Sequence, residues 1–391
     1  MKCDQVFGLH RAFSQITFHD KDDGLGLRSA KKHARAAFLA SLLGTVDLHS
    51  RIWPELAQMD VTQEKDFRDA AVALDAELPN AIMSGIREGK IVKQKCMSKA
   101  IDNTELDRVL TDAHISVDRK AHYRLVSMPN ADAFLHAFPD EAQGTKWDPE
   151  LFRVAVKRRL RMPLFDGHGT CPACGSTMDR YGDHALHCMC GGDRTLRHNH
   201  LRNVVHRYAV AAGIPAEKEK IGLLPPNLSS EPAEGEPPDR GKRRPADVWL
   251  PHGLDGLPVA IDFAVTSGLR ASCVGISAED ASPITASYEE AKRDYLGTED
   301  LCRQQGLHFS PFVIEAHGGS MAAEARKVCG FLTQTAAAAE GAEPAHMAMK
   351  LIRSISTVLM RENARSVVRR MVPAADVSSA VGSAAWADEA V

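Results

Sequence analysis

Residues 166–193 read DGHGTCPACGSTMDRYGDHALHCMCGGD, a stretch so poor in large apolar side chains that it cannot bury a core of its own. Something other than hydrophobic contact has to hold it. Within it Cys171, Cys174, His184 and Cys188 form the pattern CxxC, nine residues, His, three residues, Cys. A pair of ligands in a tight turn followed by a pair one helical turn apart is enough for a tetrahedral zinc site. Thiolates bind zinc as anions and imidazole binds it neutral, so in a segment this small the metal replaces the hydrophobic core and folding depends on it. The expected site is closed and structural. His187 and Cys190 are rival ligands, and the ordinary alternative is a set of unpaired thiols beside a surface histidine; the glycine and proline flanking CxxC are what a knuckle turn wants.

The rest of the composition sets wide bounds. With 391 residues, 44% hydrophobic and 25% charged, the chain can bury one large core or several ordinary ones and is neither disordered nor fibrous. No apolar run approaches the roughly 18 residues of a membrane span, and the start MKCDQVFGLHRAF lacks the apolar centre of a secretory signal. The expectation is an intracellular, reducing setting, in which clustered cysteines mean metal rather than disulfides. The formal net charge of -3 says little by itself. Its distribution says more: between residues 151 and 210 ten Lys/Arg stand against four Asp, and that excess is expected to meet phosphate.

Along the chain, AKKHARAAFLASLLGTV, EKDFRDAAVALDAEL and DPELFRVAVKRRLRM carry helix formers with apolar positions three and four apart. Residues 1–165 are therefore read as a helical amino-terminal region, 166–192 as the knuckle, 193–372 as an α/β domain, and 373–391 as a disordered Ala/Ser-rich tail. Within the α/β domain RTLRHNHLRNVVHRYAVAAG predicts one helix ending at Gly213, followed by a short strand near EKEKIGLL and a Pro-rich loop. Two strands come next, then the helix ASYEEAKRDYL, the strand HFSPFVIEA, a helix begun at Ser320 after Gly318 and Gly319, and a last helix over MKLIRSISTVLMRENARSVVRRM.

The two central strands, in RRPADVWLPHGLDGLPVAIDFAVTSG, carry Asp247 and Asp262 among apolar neighbours. Strand alternation turns each acid away from Val248 or from Ile261 and Phe263, so pairing the strands brings both carboxylates to one side. Two anions that close need a cation. A hard divalent ion such as magnesium, or manganese in its place, would neutralise them and activate water against a phosphodiester. Lys292 lies on the following helix, sharing a face with Tyr288 and Tyr295, where it could stabilise a pentavalent transition state or hold the water. Glu219 offers a further ligand, with Glu217 on the same face and not separable from it. The ordinary reading of each acid is a strand-end aspartate, and that of Lys292 is a solvated partner of Glu289 or Glu290. Trp249 and Phe263, alternating with aliphatic residues, read as core rather than as stacking platforms.

The CCHC knuckle with YGDHALHC, then RHNHLRNVV, RPADVWL, AIDFAVT, the Tyr288/Lys292/Tyr295 helix and PFVIEAHGG resemble the carboxy-terminal part of non-LTR retrotransposon proteins with a restriction-like endonuclease. Upstream, DGLGLRSAKKHARAAFLASL is similar to the end of the thumb region of reverse transcriptases. The resemblance implies a zinc knuckle before a PD-(D/E)XK-type nuclease that nicks DNA with a divalent metal, its catalytic lysine moved from the second strand to the next helix. In this chain Ala264 occupies the usual lysine position and Ala246 separates Pro245 from Asp247. It also implies a place for His198 and Asn199 beside the nuclease core, with Arg197 and Arg202 on the same basic helix to meet DNA. No YxDD or FADD-like polymerase motif occurs.

The expectation is an α/β fold with a restriction-endonuclease-like core and a mixed central sheet, acting as a metal-dependent DNA endonuclease of the nicking kind. Asp247 and Asp262 are its metal ligands, Glu219 assists, and Lys292 stabilises the transition state. Arg197, His198, Arg202, Tyr288 and Tyr295 are expected to contact nucleic acid. The expected partners are double-stranded DNA, RNA and a separate reverse transcriptase, in the nucleus. The alternative is a nucleic-acid-binding remnant of a retroelement that has lost catalysis.

Overall fold

A computed structural model of the chain describes residues 29–55, 60–75, 80–88, 93–225 and 245–371, with positions 25, 78 and 90 besides. The expected Pro-rich loop beyond residue 225, the disordered tail at 373–391 and the first residues of the thumb-like segment lie outside the described residues. The chain divides into two units between Ser116 and Val117.

The first unit contains helices α1 (Ala30–Ile52), α2 (Lys65–Asp75), α3 (Asn80–Arg87) and α4 (Gln94–Thr111). Ser29 starts α1 by accepting the Lys32 N–H at 3.4 Å, satisfying one of the unpaired donors of a first turn. Phe67, Ala71 and Leu74, four and three apart, put one face of α2 into a core with Leu39, Met83, Ile86 and Met97. One buried polar set crosses that core: His33 Nδ1 lies 3.2 Å from Ser98 Oγ and Nε2 3.3 Å from Asp102 Oδ1, tying α1 to α4.

The second unit opens with α5 (Val117–Val126) and α6 (Pro149–Arg159). The helices expected over residues 1–165 therefore lie on both sides of that division. Side chains anchor α5 and α6 in the second unit: Arg124 of α5 donates to the Ala278 carbonyl at 2.8 Å, and Arg161, just past α6, donates to Asp183 of the knuckle at 2.6 Å. Asp148 caps α6 by accepting the N–H groups of Glu150 and Leu151, with Pro149 in the first turn, where its missing N–H costs nothing.

The knuckle itself is a two-residue hairpin, β1 (Gly169–Thr170) against β2 (Thr177–Met178), followed by the single turn α7 (Asp183–His187). Helix α8 (Asp193–Ala211) follows and ends before Gly213, whose φ of +75° turns the chain out of the helix.

Four strands make the sheet, in the order β3 (Glu217–Lys218), β4 (Val248–Leu250), β5 (Val259–Thr266) and β6 (His308–Glu315). The first three are antiparallel neighbours, while β5 and β6 run parallel over their full length, from Val259 opposite His308 to Thr266 opposite Glu315. The crossover between them holds α9 (Val274–Glu279), α10 (Pro283–Asp294) and α11 (Thr298–Gln304). The nearly unbroken burial of β5 and β6 is what a parallel pair covered on both faces requires. On one face Val248, Ile261, Phe263, Phe312 and Ile314 pack with α8, α12 (Ala323–Glu340) and α13 (Pro344–Met371). On the other, Trp249, Ala260 and Phe309 meet Cys302 of α11, and Ala264 and Val313 meet Tyr288 of α10. The fold is thus a mixed α/β arrangement with a four-stranded mixed sheet.

Gly318 and Gly319 serve a turn rather than the start of a helix. The turn folds Ser320 back so that its carbonyl accepts the Glu315 N–H at 2.8 Å, and α12 begins only at Ala323. A Cβ on Gly318 would stand 2.0 Å from the Leu125 carbonyl oxygen, so that close approach admits glycine alone.

Candidate functional site

The four knuckle residues converge. Cys171, Cys174, His184 and Cys188 each place a ligand atom within 4.8 Å of the others, the sole such group of three or more among the described residues. Cys174 Sγ lies 3.2 Å from His184 Nε2, and the Cys171 and Cys188 sulfurs are 4.0 Å apart. Tetrahedral zinc with Zn–S near 2.3 Å and Zn–N near 2.0 Å needs S–S and S–N separations of roughly 3.5–3.8 Å; the two separations lie within about 0.3 Å of that range, and the donor set is that of a zinc site. Asp179 orients it, accepting the backbone N–H groups of Tyr181 at 2.9 Å and His184 at 2.8 Å. Hydrogen bonds from the Ser176 side chain and backbone hold the Cys174 thiol down at about 6, while burial pushes Cys188 up. The rivals fall away: Cys190 stands outside the group, and His187 turns Nδ1 to donate to the Asp183 carbonyl at 2.9 Å.

The knuckle is less self-contained than its composition implies. Met178, Ala185 and Leu186 are buried in the main core with Leu201 and Val367. Asp183, which Arg158 and Arg161 reach at 3.2 and 2.6 Å, fastens it to the end of α6. Asp193 receives Arg369 and Arg370 of α13, each at 2.7 Å. Much of the basic excess expected to meet phosphate is spent here inside the protein: Arg159, Arg161, Arg197 and Arg202 are all buried.

The second site lies on the sheet. The β4/β5 register pairs Val248 with Ile261, so one step further Asp247 stands opposite Asp262. The Asp247 N–H donates to the Ile261 carbonyl at 2.8 Å, and its carboxylate Oδ2 accepts the Phe263 N–H at 2.6 Å, locking the side chain across the strand pair. Asp262 Oδ2 is met by Lys292 Nζ of α10 at 2.6 Å. His198 of α8 puts Nε2 3.0 Å from Asp247 Oδ2 and Nδ1 3.3 Å from Asn199 Oδ1, so both ring nitrogens face acceptors. Its ring also meets Phe263 edge-on at 6.4 Å.

Three titratable groups of this site are shifted in the same direction. Burial pushes Asp262 up, and the Asp247 charge adds to it against the opposing Lys292. Burial pulls Lys292 down, but the Asp262 carboxylate outweighs it and leaves the ammonium above its ordinary range. The hydrogen bond to Asp247 raises His198 against its burial. The raised amine and imidazole report their pairing with the two carboxylates, and the raised acid chiefly its burial.

Glu219 continues the row. Its N–H donates to the Asp247 carbonyl at 2.9 Å, one step past the pairing of Lys218 with Val248. Its φ of +51° ends the strand, and its carboxylate turns to Arg202 of α8. Glu217 is paired with Lys220 at 2.7 Å and stands opposite Trp249, further from the acids. Tyr288 packs against Ala264 and Val313 with the Arg270 guanidinium 5.6 Å over its ring; Tyr295 lies past the end of α10 and is 65% exposed. Arg197 is buried, donating to Asn363 Oδ1 at 2.7 Å and to the Leu186 carbonyl at 3.1 Å. Phe263 is core, stacked at 4.6 Å on Phe312, and Trp249 packs with Ala246 and Phe309. Sequence reasoning missed Arg202 as the partner of Glu219 and His198 as that of Asp247. Their spacing of four on one helix was the available signal.

No protein-family model matches the chain, and no curated protein matches it. Among the described residues no helix is long and apolar enough to cross a membrane.

Proposed function

We propose that the chain is a metal-dependent DNA endonuclease of the nicking kind, with a restriction-endonuclease-like core of retroelement origin. The observation that carries the reading is the pairing of Asp247 with Asp262 across β4 and β5, with Lys292 2.6 Å from the second acid. A magnesium or manganese ion bound by these two carboxylates would supply a lowered water pKa and charge neutralisation at the phosphorus. The chain's own residues do the rest. The Phe263 N–H and His198 fix the orientation of Asp247. Lys292, held charged by Asp262, directs its ammonium at the charge that develops on the phosphoryl oxygens. Glu219, occupied by Arg202, assists only when that pair opens. The knuckle holds structural zinc and anchors α8, which carries His198 and Arg202. Double-stranded DNA is the substrate on this reading, with RNA and a separate reverse transcriptase as further partners and the nucleus as the site of action.

A second reading, a nucleic-acid-binding remnant without catalysis, draws on the same contacts: Asp247, Asp262 and Glu219 each already have a basic partner within the protein. Nicking of supercoiled plasmid in magnesium or manganese separates the two. Relaxed product from the parent and none from Asp247→Ala/Asp262→Ala supports the nuclease. Salt-sensitive DNA binding with no product at any concentration of either metal leaves the remnant.

A further inference from the structure

A cleft of about 240 Å³ opens where the carboxyl end of β5 meets α7, α8 and α10. Its polar lining is His187, Arg194, Arg197, Thr266, Ser267 and Arg270, and Tyr288 closes one side; no carboxylate lines it. The three guanidiniums meet only neutral acceptors among the described residues. Arg194 reaches Met189 Sδ, Arg197 reaches Asn363 Oδ1 and the Leu186 carbonyl, and Arg270 reaches the Ser267 carbonyl and Cys273 Sγ. Among the other buried arginines of this unit, Arg161, Arg202 and Arg370 are each matched by an acid, whereas Arg159 donates to the Ala131 carbonyl. Here no acid among the described residues makes a direct ion pair with any of the three guanidiniums, of which Arg197 is buried, Arg270 half-buried and Arg194 exposed.

The lining also holds polar atoms with no partner. Arg197 is 6% exposed and Thr266 3% exposed, and Arg197 Nε, Thr266 Oγ1 and His187 Nε2 are all buried without a hydrogen bond. Buried polar groups cost free energy when unsatisfied, and three of those in the described residues belong to side chains lining this one cleft. Guanidinium forks and a hydroxyl suit a phosphate, whose oxygens accept from both. The volume is roughly eight times the ~30 Å³ share of one water, room for a phosphate with part of its sugar.

We infer that this cleft is a phosphate-binding pocket, taking a backbone phosphate of the nucleic-acid strand that runs past the carboxylates. Thr266 lies four residues along β5 from Asp262, roughly 13 Å at a strand's rise, and about four nucleotides at 3.4 Å of axial rise each. Tyr288 stands one helical turn before Lys292, and Arg197 immediately precedes His198, so the same two helices serve both places. The backbone source rests on the nuclease reading above; the phosphate chemistry does not.

The test uses the full chain and an Arg194→Gln/Arg270→Gln variant, with anisotropy of a labelled duplex measured across salt concentration. The expected result is an affinity loss of roughly ten- to a hundredfold and a log–log salt slope smaller by about two, since each neutralised phosphate contributes close to one. Inorganic phosphate should raise the melting temperature of the parent over chloride at equal ionic strength and leave the variant unmoved. Arg194→Lys/Arg270→Lys should recover most of the slope, which a merely structural loss would not allow. An unchanged slope together with an unchanged response to phosphate in the Gln variant overturns the pocket. Displacement of the duplex by micromolar thymidine monophosphate would make a free nucleotide the source of the phosphate. Displacement only where inorganic phosphate also competes keeps the backbone. A parent that binds with the full slope yet never nicks would remove the nuclease reading and leave the pocket standing.

Discussion

The knuckle and the sheet site bring charged or metal-ligating side chains together by opposite means. In the knuckle, four ligand atoms converge at the ends of a two-residue hairpin and a one-turn helix, elements far too short to hold their shape alone. In the sheet, Asp262 sits in the middle of an eight-residue strand whose every residue is in register with β6, over a core of Phe263, Phe312 and Ile314. The first arrangement is that of a site whose local elements need a bound ion or anchors from elsewhere, here those reaching Asp183 and Asp193, while the second is set by the sheet itself. On the proposed reading, zinc would be structural in the first place, whereas a divalent ion in the second would add chemistry with little effect on the fold.

The largest expected effect follows from that contrast. Stripping zinc with a chelator, or Cys171→Ser, removes a metal whose binding in small domains is worth roughly 10–16 kcal/mol. One equivalent of zinc should be released, and amide exchange protection over residues 166–192 should collapse. Because Met178 and Leu186 lie in the main core, the melting temperature of the whole second unit should fall with it. A knuckle that melts alone, leaving the rest unmoved, would break the coupling drawn here. Lys292→Met should do the reverse: nicking reduced by roughly 10²–10³-fold, the loss typical of one transition-state donor, with zinc content and knuckle protection unchanged.

This contrast also explains what the sequence made legible. The ligand set of the knuckle could be read from spacing alone, because CxxC and HxxxC fix geometry locally. The facing of Asp247 and Asp262 was legible because strand alternation has a strict period and both acids lie among unbroken apolar runs. The division at Ser116 was not, since helices α5 and α6 carry the same amphipathic pattern as those of the first unit, and only long-range anchors such as Arg124 to the Ala278 carbonyl and Arg161 to Asp183 join them to the rest of the second. The fate of the arginines was illegible for the same reason: a basic helix looks alike whether its guanidiniums meet phosphate or, like Arg202, a carboxylate of the next strand. Tyr295 was placed on the Lys292 face by spacing, and the helix stops one residue too soon to keep it there.

A smaller effect concerns pH. Burial, and then the Asp247 charge, hold the Asp262 carboxyl above its ordinary value, against Lys292. A protonated carboxyl cannot hold a cation, so nicking should be lost on acidification through the raised pKa, above the ordinary aspartate value near 3.9. The acidic limb of the rate profile is the measurement. Asp247→Asn removes one of the causes and should move any remaining limb downward, whereas Lys292→Met removes the opposing charge and should move it upward. A limb that ignores both variants would mean that Asp262 is not the titrating group. The knuckle offers no counterpart at these pH values short of releasing its zinc, so zinc content followed across the same range separates the two sites.

The smallest effect belongs to Glu219, which stands in the same row as the two aspartates but outside their cluster. Its carboxylate is half exposed and held by Arg202, and the strand ends at its positive φ. If that pair stays closed, Glu219→Gln should slow nicking only a few-fold and cost about 1 kcal/mol or less of stability, as for other half-exposed ion pairs. Arg202→Gln then becomes the sharper probe. Freeing Glu219 from its partner makes it available beside Asp247, so the requirement for magnesium should shift to lower concentration if Glu219 can join as a ligand. An unchanged magnesium requirement in Arg202→Gln, with Glu219→Gln equally silent, would confine the ion to the two aspartates that β4 and β5 bring together.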